Sequence, residues 1–470
     1  MSGFVSYLLL TLYTLTVVGV ILIIISENRN PLKSMPWLIV LLLAPFAGLV
    51  LYFFFGHNLS KHRSITRRMR KQLRAVPGDQ PADPPQLPQR FRPLGRLLTA
   101  AHALPRYGTR FECCADGSTK MSTLLRAIAA ARHHIHLQYY IIADDRTGNR
   151  LREALIRKAR EGVKVRILYD DVGSRNVHKR FFESMRAEGI EVRPFLHVQF
   201  PRFTSKVNYR NHRKIAVIDG TVGFIGGMNI ADRYVDGTGW GTWRDNHFRI
   251  EGGGVAGLQA AFLSDWSATT KQPLAGAAYY PPLRHFTDGA AMQLVAGGPF
   301  GKWRALLQGE SYAIANARRR IWIQTPYYLP SDVLNTALQE AALAGRDVRL
   351  MLPERSDSRF VNLASHSYLD DMLKAGVKIV FYRPGFLHAK LLIVDDDLTV
   401  IGSANMDFRS FEHNFEVNAF VYDRDFTARM SRIFEEDQRQ CHLVTPNEWF
   451  RRPRRRRIAE SFLRLFSPLM

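Results

Sequence analysis

The sequence contains one polar motif twice, and this repeat constrains the fold more than any other feature. RNHRKIAVIDGTVGFIGGMN begins at Arg210, and FLHAKLLIVDDDLTVIGSAN begins at Phe386. Both copies have His-x-Lys, an Asp seven residues after the His, a Gly fourteen after it and an Asn seventeen after it. A single His-x-Lys is usually chance, but five shared positions at identical offsets are not. We therefore predict an internal duplication, with one copy in each of two similar halves.

Alternating strand and helix patterns precede each copy of the motif. HIHLQYYII, VKVRILYDD and IEVRPF have the composition of buried strands, and LREALIRKAREG and FFESMRAEG separate them as amphipathic helices. RIWIQTPYYLP, DVRLMLPE and VKIVFYRP repeat the order with VLNTALQEAALAG and HSYLDDMLKAG. This alternation predicts βαβ units and a mixed or parallel sheet. We expect an α/β fold of two pseudo-symmetric halves, residues 106–270 and 271–445, with a linker at the start of the second.

The N-terminal segment has the composition of a membrane anchor. Residues 4–25 and 35–55 carry no charge and are each long enough to cross a hydrocarbon core of about 30 Å. A cleaved signal peptide is the alternative for the first, but no Lys or Arg precedes it and no small-residue cleavage site follows. Basic residues are dense after the second segment, which predicts a cytoplasmic location for both termini. We predict a transmembrane hairpin over residues 1–56.

A basic juxtamembrane helix and a Pro-rich linker are predicted over residues 57–105. Ile65, Met69 and Leu73 recur every four residues among Arg and Lys, a pattern that suits either an anionic membrane interface or a solvated helix. PGDQPADPPQLPQRFRP follows and is too rich in proline for helix or sheet. The catalytic region should begin near Tyr107.

The charge balance predicts a polyanionic partner. The chain has 65 Lys plus Arg against 42 Asp plus Glu, which favours either nucleic acid or an anionic membrane. An Arg-rich tail over residues 446–470 combines a basic cluster with Phe462, Leu465 and Phe466, so it suits a membrane surface or a nucleic acid. The upstream anchor favours the membrane. The three cysteines have no zinc-type spacing, and we expect no metal and no cofactor.

The first copy of the motif gathers three polar side chains on one patch of sheet. His212 and Lys214 share a face if they lie on a strand. Asp219-Gly220 is a two-residue hairpin signal, and such a turn would return Asn229 to the face of His212. The turn position by itself accounts for the Asp, which leaves its chemical role open.

The second copy repeats this arrangement with His388, Lys390 and Asn405 around a turn at Asp395-Asp396. Two copies related by an internal twofold would form one pocket with two imidazoles, two ammonium groups and two amides. The ammonium and amide groups suit phosphodiester oxygens. One His can attack phosphorus while the other protonates the leaving alkoxide. The two lysines supply the positive charge, so a metal ion is unnecessary.

The duplicated pattern H-x-K-x4-D-x6-G-[GS]-x-N resembles the signature of the phospholipase D superfamily. The flanking text, behind the predicted two-helix N-terminus, resembles the bacterial cardiolipin synthases of that superfamily; it consists of RNHRK, GGMNIADRY, TWRDNHFRIEG, LHAK and GSANMDFRSFEHNFEVN. The resemblance implies that His212 is the nucleophile of a covalent phosphatidyl-histidine and that His388 is the general acid, later the base. It implies further site residues of three kinds: phosphate-binding Lys214, Lys390, Asn229 and Asn405; Asp219 and Asp395 of the catalytic signature; and Asp245 and Glu416, which would orient a His.

The implied reaction transfers a phosphatidyl group between two phosphatidylglycerol molecules to give cardiolipin and glycerol. The implied location is the bacterial cytoplasmic membrane, with the catalytic region in the cytoplasm and an anionic phospholipid as the partner. A phospholipase D or a transferase with another lipid, such as phosphatidylethanolamine, is the first alternative. A nuclease of the superfamily has no use for two membrane spans, and a non-catalytic tether that binds nucleic acid needs neither histidine. A homo-oligomer is compatible with the sequence.

Overall fold

The structure is a computed structural model that describes residues 2–26, 31–52, 87–197 and 208–470. The apolar stripe predicted at Ile65, Met69 and Leu73 lies outside the described residues, as does most of the predicted linker. The chain forms two compact units: Met1–His62 with Val198–Tyr209, and Arg63–His197 with Arg210–Met470.

The N-terminal unit contains, among its described residues, one helix with the length and composition predicted for the first membrane span. Helix α1 (Ser2–Ser26) is uninterrupted, and Gly3–Ser26 is the one stretch of the described residues with the length and composition of a membrane span. The second predicted span is not one helix, because α2 (Pro31–Leu43) ends before α3 (Pro45–Leu51) begins. Proline disfavours helical geometry in the residue before it, and Ala44 accordingly has φ −137° and ψ 67°.

The Pro-rich segment ends earlier than predicted. A 3-10 turn at Gln89–Phe91 leads into helix α4 (Arg92–Ala100). The prediction that this segment forms no helix is therefore wrong from Gln89 onwards. Pro93 lies in the first turn, where no intrahelical partner for an N–H is needed. Leu94 and Leu98 are buried in the core of the second half. The second compact unit, Arg63–His197 with Arg210–Met470, is called the catalytic unit below, and its packed core includes residues well before the predicted start at 106.

The catalytic unit alternates strands and helices as predicted. Its strands, in chain order, are β1 (Pro105–Cys114), β2 (His134–Tyr139), β3 (Lys164–Asp170), β4 (Glu191–Phe195), β5 (Ile215–Ile218), β6 (Val222–Gly226), β7 (Thr242–Arg244), β8 (His247–Glu251), β9 (Ala290–Gly297), β10 (Arg320–Gln324), β11 (Tyr328–Leu329), β12 (Asp347–Pro353), β13 (Lys378–Tyr382), β14 (Gly385–Leu387), β15 (Leu391–Val394), β16 (Leu398–Gly402), β17 (Met406–Asp407), β18 (Glu416–Tyr422) and β19 (Cys441–Leu443). Its further helices are α5 (Gly117–Ala130), α6 (Arg146–Arg160), α7 (Lys179–Ala187), α8 (Asp232–Asp236), α9 (Gly254–Thr270), α10 (Ala305–Ala315), α11 (Asp332–Leu343), α12 (Arg359–His366), α13 (Leu369–Lys374), α14 (Phe408–Glu412), α15 (Arg424–Gln438), α16 (Pro446–Phe450) and α17 (Arg454–Arg464).

Fifteen of the strands form one sheet in which the two halves repeat the same order. From the centre outwards the first half runs β1-β8-β6-β5-β2-β3-β4, and the second runs β9-β18-β16-β15-β10-β12-β13-β19. Strands β1 and β9 pair antiparallel where the halves meet. Strands β2, β3 and β4 are parallel neighbours, and so are β10, β12 and β13, which confirms the predicted βαβ units and the mixed sheet. Apolar side chains of both halves, such as Phe248 and Val417, share one core.

The hairpin that carries the motif turns through three residues instead of the predicted two. Ile218 pairs with Val222, and in the second copy Val394 pairs with Leu398. Asp219 and Asp395 adopt positive φ, 51° and 55°, a conformation that Asp tolerates better than most residues. The predicted register is therefore wrong by one residue, and each His-x-Lys lies just before its strand.

Candidate active site

The two motif copies lie side by side because each half pairs with the other at the start of its hairpin. The His212 amide N–H donates to the Phe415 carbonyl at 2.9 Å, next to an isolated bridge between Asn211 and Phe415. In the other half, β14 pairs with β7, and the His388 amide N–H donates to the Arg244 carbonyl at 2.7 Å. These backbone contacts place both histidines on one cleft.

The cleft has a volume of about 460 Å³ and is lined by four of the predicted residues. These are His212, His388, Asn229 and Asn405. The two predicted lysines are buried behind the histidines. The Lys214 Nζ donates to the His212 carbonyl at 2.6 Å, and the Lys390 Nζ donates to the His388 carbonyl.

His212 is held by a carboxylate from the second half of the chain. Its Nδ1 lies 2.9 Å and 3.1 Å from the two carboxylate oxygens of Glu416, which is fully buried. The Ser403 hydroxyl donates to the same carboxylate at 2.5 Å. Although burial raises the pKa of Glu416, the charge and hydrogen bond of His212 outweigh it and lower that pKa overall. An ionised Glu416 accepts a hydrogen bond from Nδ1–H, which leaves the lone pair of His212 on Nε2.

His388 is held by a carboxylate from the first half. Its Nδ1 lies 2.6 Å from Asp245, whose other oxygen accepts from the Asn246 amide N–H at 2.7 Å. Lys390 adds a contact that His212 lacks, because its Nζ lies 2.8 Å from the same Nδ1. Burial raises the pKa of Asp245 to about 6, whereas the pKa of Glu416 is lowered, so Asp245 is protonated more readily than Glu416. The histidines thus have partners of the same kind but in different electrostatic environments.

Burial dominates the pKa values of the basic groups in the site. It lowers the pKa of Lys214 to about 7 and that of Lys390 to about 8. It also lowers the pKa of both histidines, and for His388 the neighbouring Lys390 and Lys214 lower it further. Both imidazoles are consequently neutral when the cleft contains no anion. An entering phosphodiester would favour the charged forms of all four groups.

The two asparagines have different partners. The side-chain carbonyl of Asn229 accepts from the Ile141 amide N–H at 3.1 Å, and its amide donates to the Tyr234 hydroxyl at 2.6 Å. The amide of Asn405 donates to Asp407 at 3.0 Å, while its side-chain carbonyl is buried without a hydrogen-bond partner among the described residues. Both amides lie at the cleft, although the hairpin register differs from the predicted one.

The structure does not bring Asp219 and Asp395 into the cleft. The Asp219 carboxylate accepts from three successive backbone N–H groups, those of residues 132–134, at 2.8 to 2.9 Å. Asp395 accepts in the same way from residues 318–320 and also from the Arg90 guanidinium at 2.5 Å. Each Asp thereby ties the turn of the hairpin to the segment that enters the neighbouring strand. The prediction that places them among the catalytic residues is therefore corrected. Asp219 and Asp395 have a structural position after β5 and β15, at the end of each strand that is away from the histidine.

Replacing Asp395 with alanine tests this structural role. We expect the free energy of unfolding to fall by about 2–4 kcal/mol, because three backbone donors lose their acceptor and alanine is strained at positive φ. Transfer per folded molecule should be unchanged, whereas Asp395→Asn should retain more stability. Thermal unfolding in detergent, followed by an assay normalised to folded protein, measures both quantities. If Asp395→Ala lost transfer activity while its free energy of unfolding stayed unchanged, Asp395 would instead have a chemical role.

Two arginines of the cleft were missed in the sequence, although the repeat contains their signal. Arg233 and Arg409 each follow a motif Asn by four residues, and both line the cleft. The Arg233 guanidinium lies over the rings of Tyr234 and Trp243, 5.6 Å and 5.1 Å from their centres. Arg210, from the predicted flanking text, also lines the cleft and pairs with Asp170 at 3.3 Å. These cations place positive charge where a phosphodiester would enter.

A buried acid supports the loop that carries Asn405. Glu310 accepts from the Asn418 amide at 2.8 Å, and the Asn418 side-chain carbonyl accepts from the amides of Ser403 and Ala404 at 3.1 Å and 3.2 Å. Burial raises the pKa of Glu310 to about 8, well above its ordinary value of 4.5. At neutral pH the folded protein therefore holds this carboxyl protonated, while the unfolded chain ionises it.

Glu310→Gln should stabilise the protein in a pH-dependent manner. Folding of the wild type takes up a proton at Glu310, so its stability falls as pH rises from about 4.5 to about 8. Glutamine does not titrate and can still accept from Asn418. We expect a gain on the order of a few kcal/mol at pH 8 and almost none at pH 4.5, measured by unfolding across this range. A gain that is independent of pH would contradict a protonated Glu310.

Within the described residues, no group of three or more His, Cys, Asp or Glu side chains has an arrangement that could hold a metal ion. Lysine and arginine side chains place positive charge around the cleft.

Known proteins are similar to this chain in both sequence and fold. Residues 124–251 and 312–438 match the family model described as "Cardiolipin synthase, PLD-like domain", and residues 14–57 match "Phospholipase_D-nuclease N-terminal". A cardiolipin synthase of Geobacillus kaustophilus is 41% identical over 98% of this chain and 93% of its own length. The major cardiolipin synthase ClsA of Bacillus subtilis is 38% identical over 99% of both chains.

A solved structure supports the fold independently. Phosphatidylserine synthase of Haemophilus influenzae aligns with a TM-score of 0.62 over 80% of this chain and 98% of its own, at 13% identity. The family match and the long apolar helix α1 associate the chain with a membrane. The chain belongs to the cardiolipin synthases of the phospholipase D superfamily.

Proposed function

We propose that the protein transfers a phosphatidyl group from one phosphatidylglycerol molecule to another, which gives cardiolipin and glycerol. The observation that carries this proposal is the pair of histidines on one cleft, each held at Nδ1 by a carboxylate from the opposite half. Such a pair divides nucleophilic attack and proton transfer between two residues that act on the same phosphorus atom.

The reaction would proceed in two displacements at phosphorus. In the first, the anionic substrate favours the imidazolium form of His388, and Nε2 of His212 attacks phosphorus. The bond from phosphorus to the oxygen of the headgroup glycerol breaks, and His388 gives its proton to that oxygen and becomes neutral. In the second, His388 accepts the proton of a hydroxyl on the incoming phosphatidylglycerol, whose oxygen attacks the phosphatidyl-histidine and releases His212. One phosphodiester replaces another, so the exchange needs no nucleotide.

The different surroundings of the two histidines support this order of roles. Glu416 alone contacts Nδ1 of His212 and leaves a lone pair on Nε2, which a nucleophile requires. At His388, Nδ1 faces the Asp245 carboxylate at 2.6 Å, and the Lys390 Nζ lies 2.8 Å from the same nitrogen. Burial and the neighbouring lysines lower the pKa of His388, so its imidazolium, once formed, gives up its proton readily to a leaving oxygen. The pseudo-symmetric histidines thus differ in their electrostatic surroundings.

The remaining site residues would bind and neutralise the phosphate. Lys214 and Lys390 supply positive charge from behind the histidines, and the amides of Asn229 and Asn405 lie at the cleft. Asp245 and Glu416 are positioning residues in this scheme, because they act through the histidines. Water that enters the cleft competes with the lipid hydroxyl, so phosphatidic acid is an expected minor product.

The proposed location is the bacterial cytoplasmic membrane, with two N-terminal membrane segments and a cytoplasmic catalytic unit. The long apolar helix α1 and the excess of basic residues support it, because a basic protein gains from proximity to anionic lipid.

The deciding test is incubation of the purified protein in detergent with phosphatidylglycerol alone, followed by chromatography of the lipids and an assay of free glycerol. We expect cardiolipin and glycerol in equal amounts. A parallel incubation with phosphatidylethanolamine as a second lipid identifies a different donor. Phosphatidic acid as the sole product would instead make the protein a phospholipase D.

A further inference from the structure

The C-terminal helix α17 has one face on the catalytic unit and one face without a partner in the described structure. Glu460 is only 1% exposed and is bound by Arg456 at 3.1 Å and Arg452 at 3.3 Å. The guanidinium of Arg464 lies 4.2 Å from the centre of the Tyr368 ring. These contacts fix the rotation of the helix about its axis.

The opposite face exposes large apolar side chains. Ile458, Phe462 and Leu465 are 68%, 59% and 73% exposed, and their spacing of four and three residues places them on one side of the helix. Phe466 continues the patch, with its ring 5.5 Å from that of Phe462. Single exposed apolar residues are ordinary, but a contiguous patch on a helix held in a fixed rotation indicates a contact surface.

The charge around this patch indicates what it contacts. Arg454 and Arg455 are exposed beside it, and Arg457 pairs with Asp370 at 3.4 Å. The acidic Glu460 points inwards, so the outer face is basic and apolar together. An anionic bilayer matches both properties, because acyl chains accept the apolar side chains while lipid phosphates meet the guanidinium groups. Nucleic acid matches only the charge.

The helix leads directly to the catalytic cleft. After α17 the chain forms a 3-10 turn at Ser467–Leu469, which packs beside α14, and the final residue, Met470, lines the cleft together with His212 and His388. A lipid bound at the outer face would therefore lie close to the opening of the site.

We propose that α17 and Phe466 form an interfacial surface that binds an anionic bilayer and holds the mouth of the cleft against it. This surface is distinct from the N-terminal apolar helix and deepens the proposed function, since the partner is a bilayer of the same anionic lipid class. Its role is to deliver lipid from the bilayer plane to the histidines. Activity on bilayer substrate should depend on it, whereas activity on substrate dispersed in detergent should not.

The first test places the photo-reactive residue p-benzoylphenylalanine at Phe462 in the full chain, reconstituted into vesicles of phosphatidylglycerol and phosphatidylcholine. We expect covalent lipid adducts at this position, and fewer in vesicles of phosphatidylcholine alone. The matched control places the same residue at Leu343, which is 73% exposed at the end of α11. Equal adducts at both positions, or adducts to an added RNA oligonucleotide in preference to lipid, would overturn the proposal.

The second test compares transfer by Phe462→Ser/Leu465→Ser in vesicles and in detergent micelles. We expect about a tenfold or larger loss in vesicles and less than about a twofold loss in micelles, since only the bilayer contact is removed. Leu343→Ser should be neutral in both. An equal loss in both media would contradict a bilayer role. Failure of the proposed function is recognised separately, because the wild type would then form no cardiolipin while Phe462 could still cross-link to lipid.

Discussion

His212→Ala is expected to abolish cardiolipin formation, with a loss on the order of 10⁴-fold or more. The substitution removes the Nε2 lone pair that attacks phosphorus, and no neighbouring described side chain offers a nucleophile in the same place. His388→Ala should also stop turnover, but by removing the proton donor and acceptor. Attack by His212 can still occur slowly in this variant, so phosphorus should accumulate on His212 because the second displacement lacks its base.

Phosphatidylglycerol labelled with ³²P distinguishes these two outcomes. The label should bind covalently to the His388→Ala protein in an acid-labile form and map to the peptide that contains His212, and none should bind to His212→Ala. His178→Ala is a matched control, because this imidazole is exposed and its Nδ1 lies 3.1 Å from Asp144 on the surface. Label found on His388 in the His212→Ala protein would reverse the assigned roles.

Glu416→Gln should have the second largest effect, a loss of roughly 10³–10⁴-fold in transfer. The side-chain amide of glutamine can donate to Nδ1 of His212, which moves the imidazole proton to Nε2 and removes the nucleophilic lone pair. The shape of the buried site is conserved, and Ser403 keeps an oxygen acceptor. The formation of phosphatidyl-histidine itself should therefore fail.

Asp245→Asn should be milder, with a loss of about 10–100-fold, since Lys390 still contacts Nδ1 of His388. Label should still reach His212 in this variant, which a single-turnover measurement detects. Glu436→Gln, on the exposed side of α15, controls for the loss of one carboxylate elsewhere. If both site variants formed phosphatidyl-histidine at the same rate, the carboxylates would not determine which histidine attacks.

Much of the fold was predictable because it depends on local patterns. The βαβ units follow from the alternation of apolar strands and amphipathic helices, and each parallel triplet was found where it was predicted. The errors lie at proline and in turns. Pro93 belongs to a segment that was interpreted as a linker but lies in the first turn of α4, and the helix breaks before Pro45 in a segment that was interpreted as one span. The hairpin turns through three residues, a loop length that the Asp-Gly signal alone does not distinguish from a two-residue turn.

The sequence by itself determined the duplication, the α/β class and the two His-x-Lys pairs, because identical spacing in two copies leaves little room for chance. Only the tertiary structure decided what each polar residue contacts. Asp219 and Asp395 look like partners of the histidines in the motif, yet their carboxylates bind backbone amides at the other end of the strand. Glu416 and Asp245 lie outside the repeated spelling and each contact the histidine of the opposite half. Each histidine meets a carboxylate of the opposite half because the backbones of the two halves pair with each other at Asn211 and at β14. These pairings join residues far apart in the sequence, so no local pattern contains them.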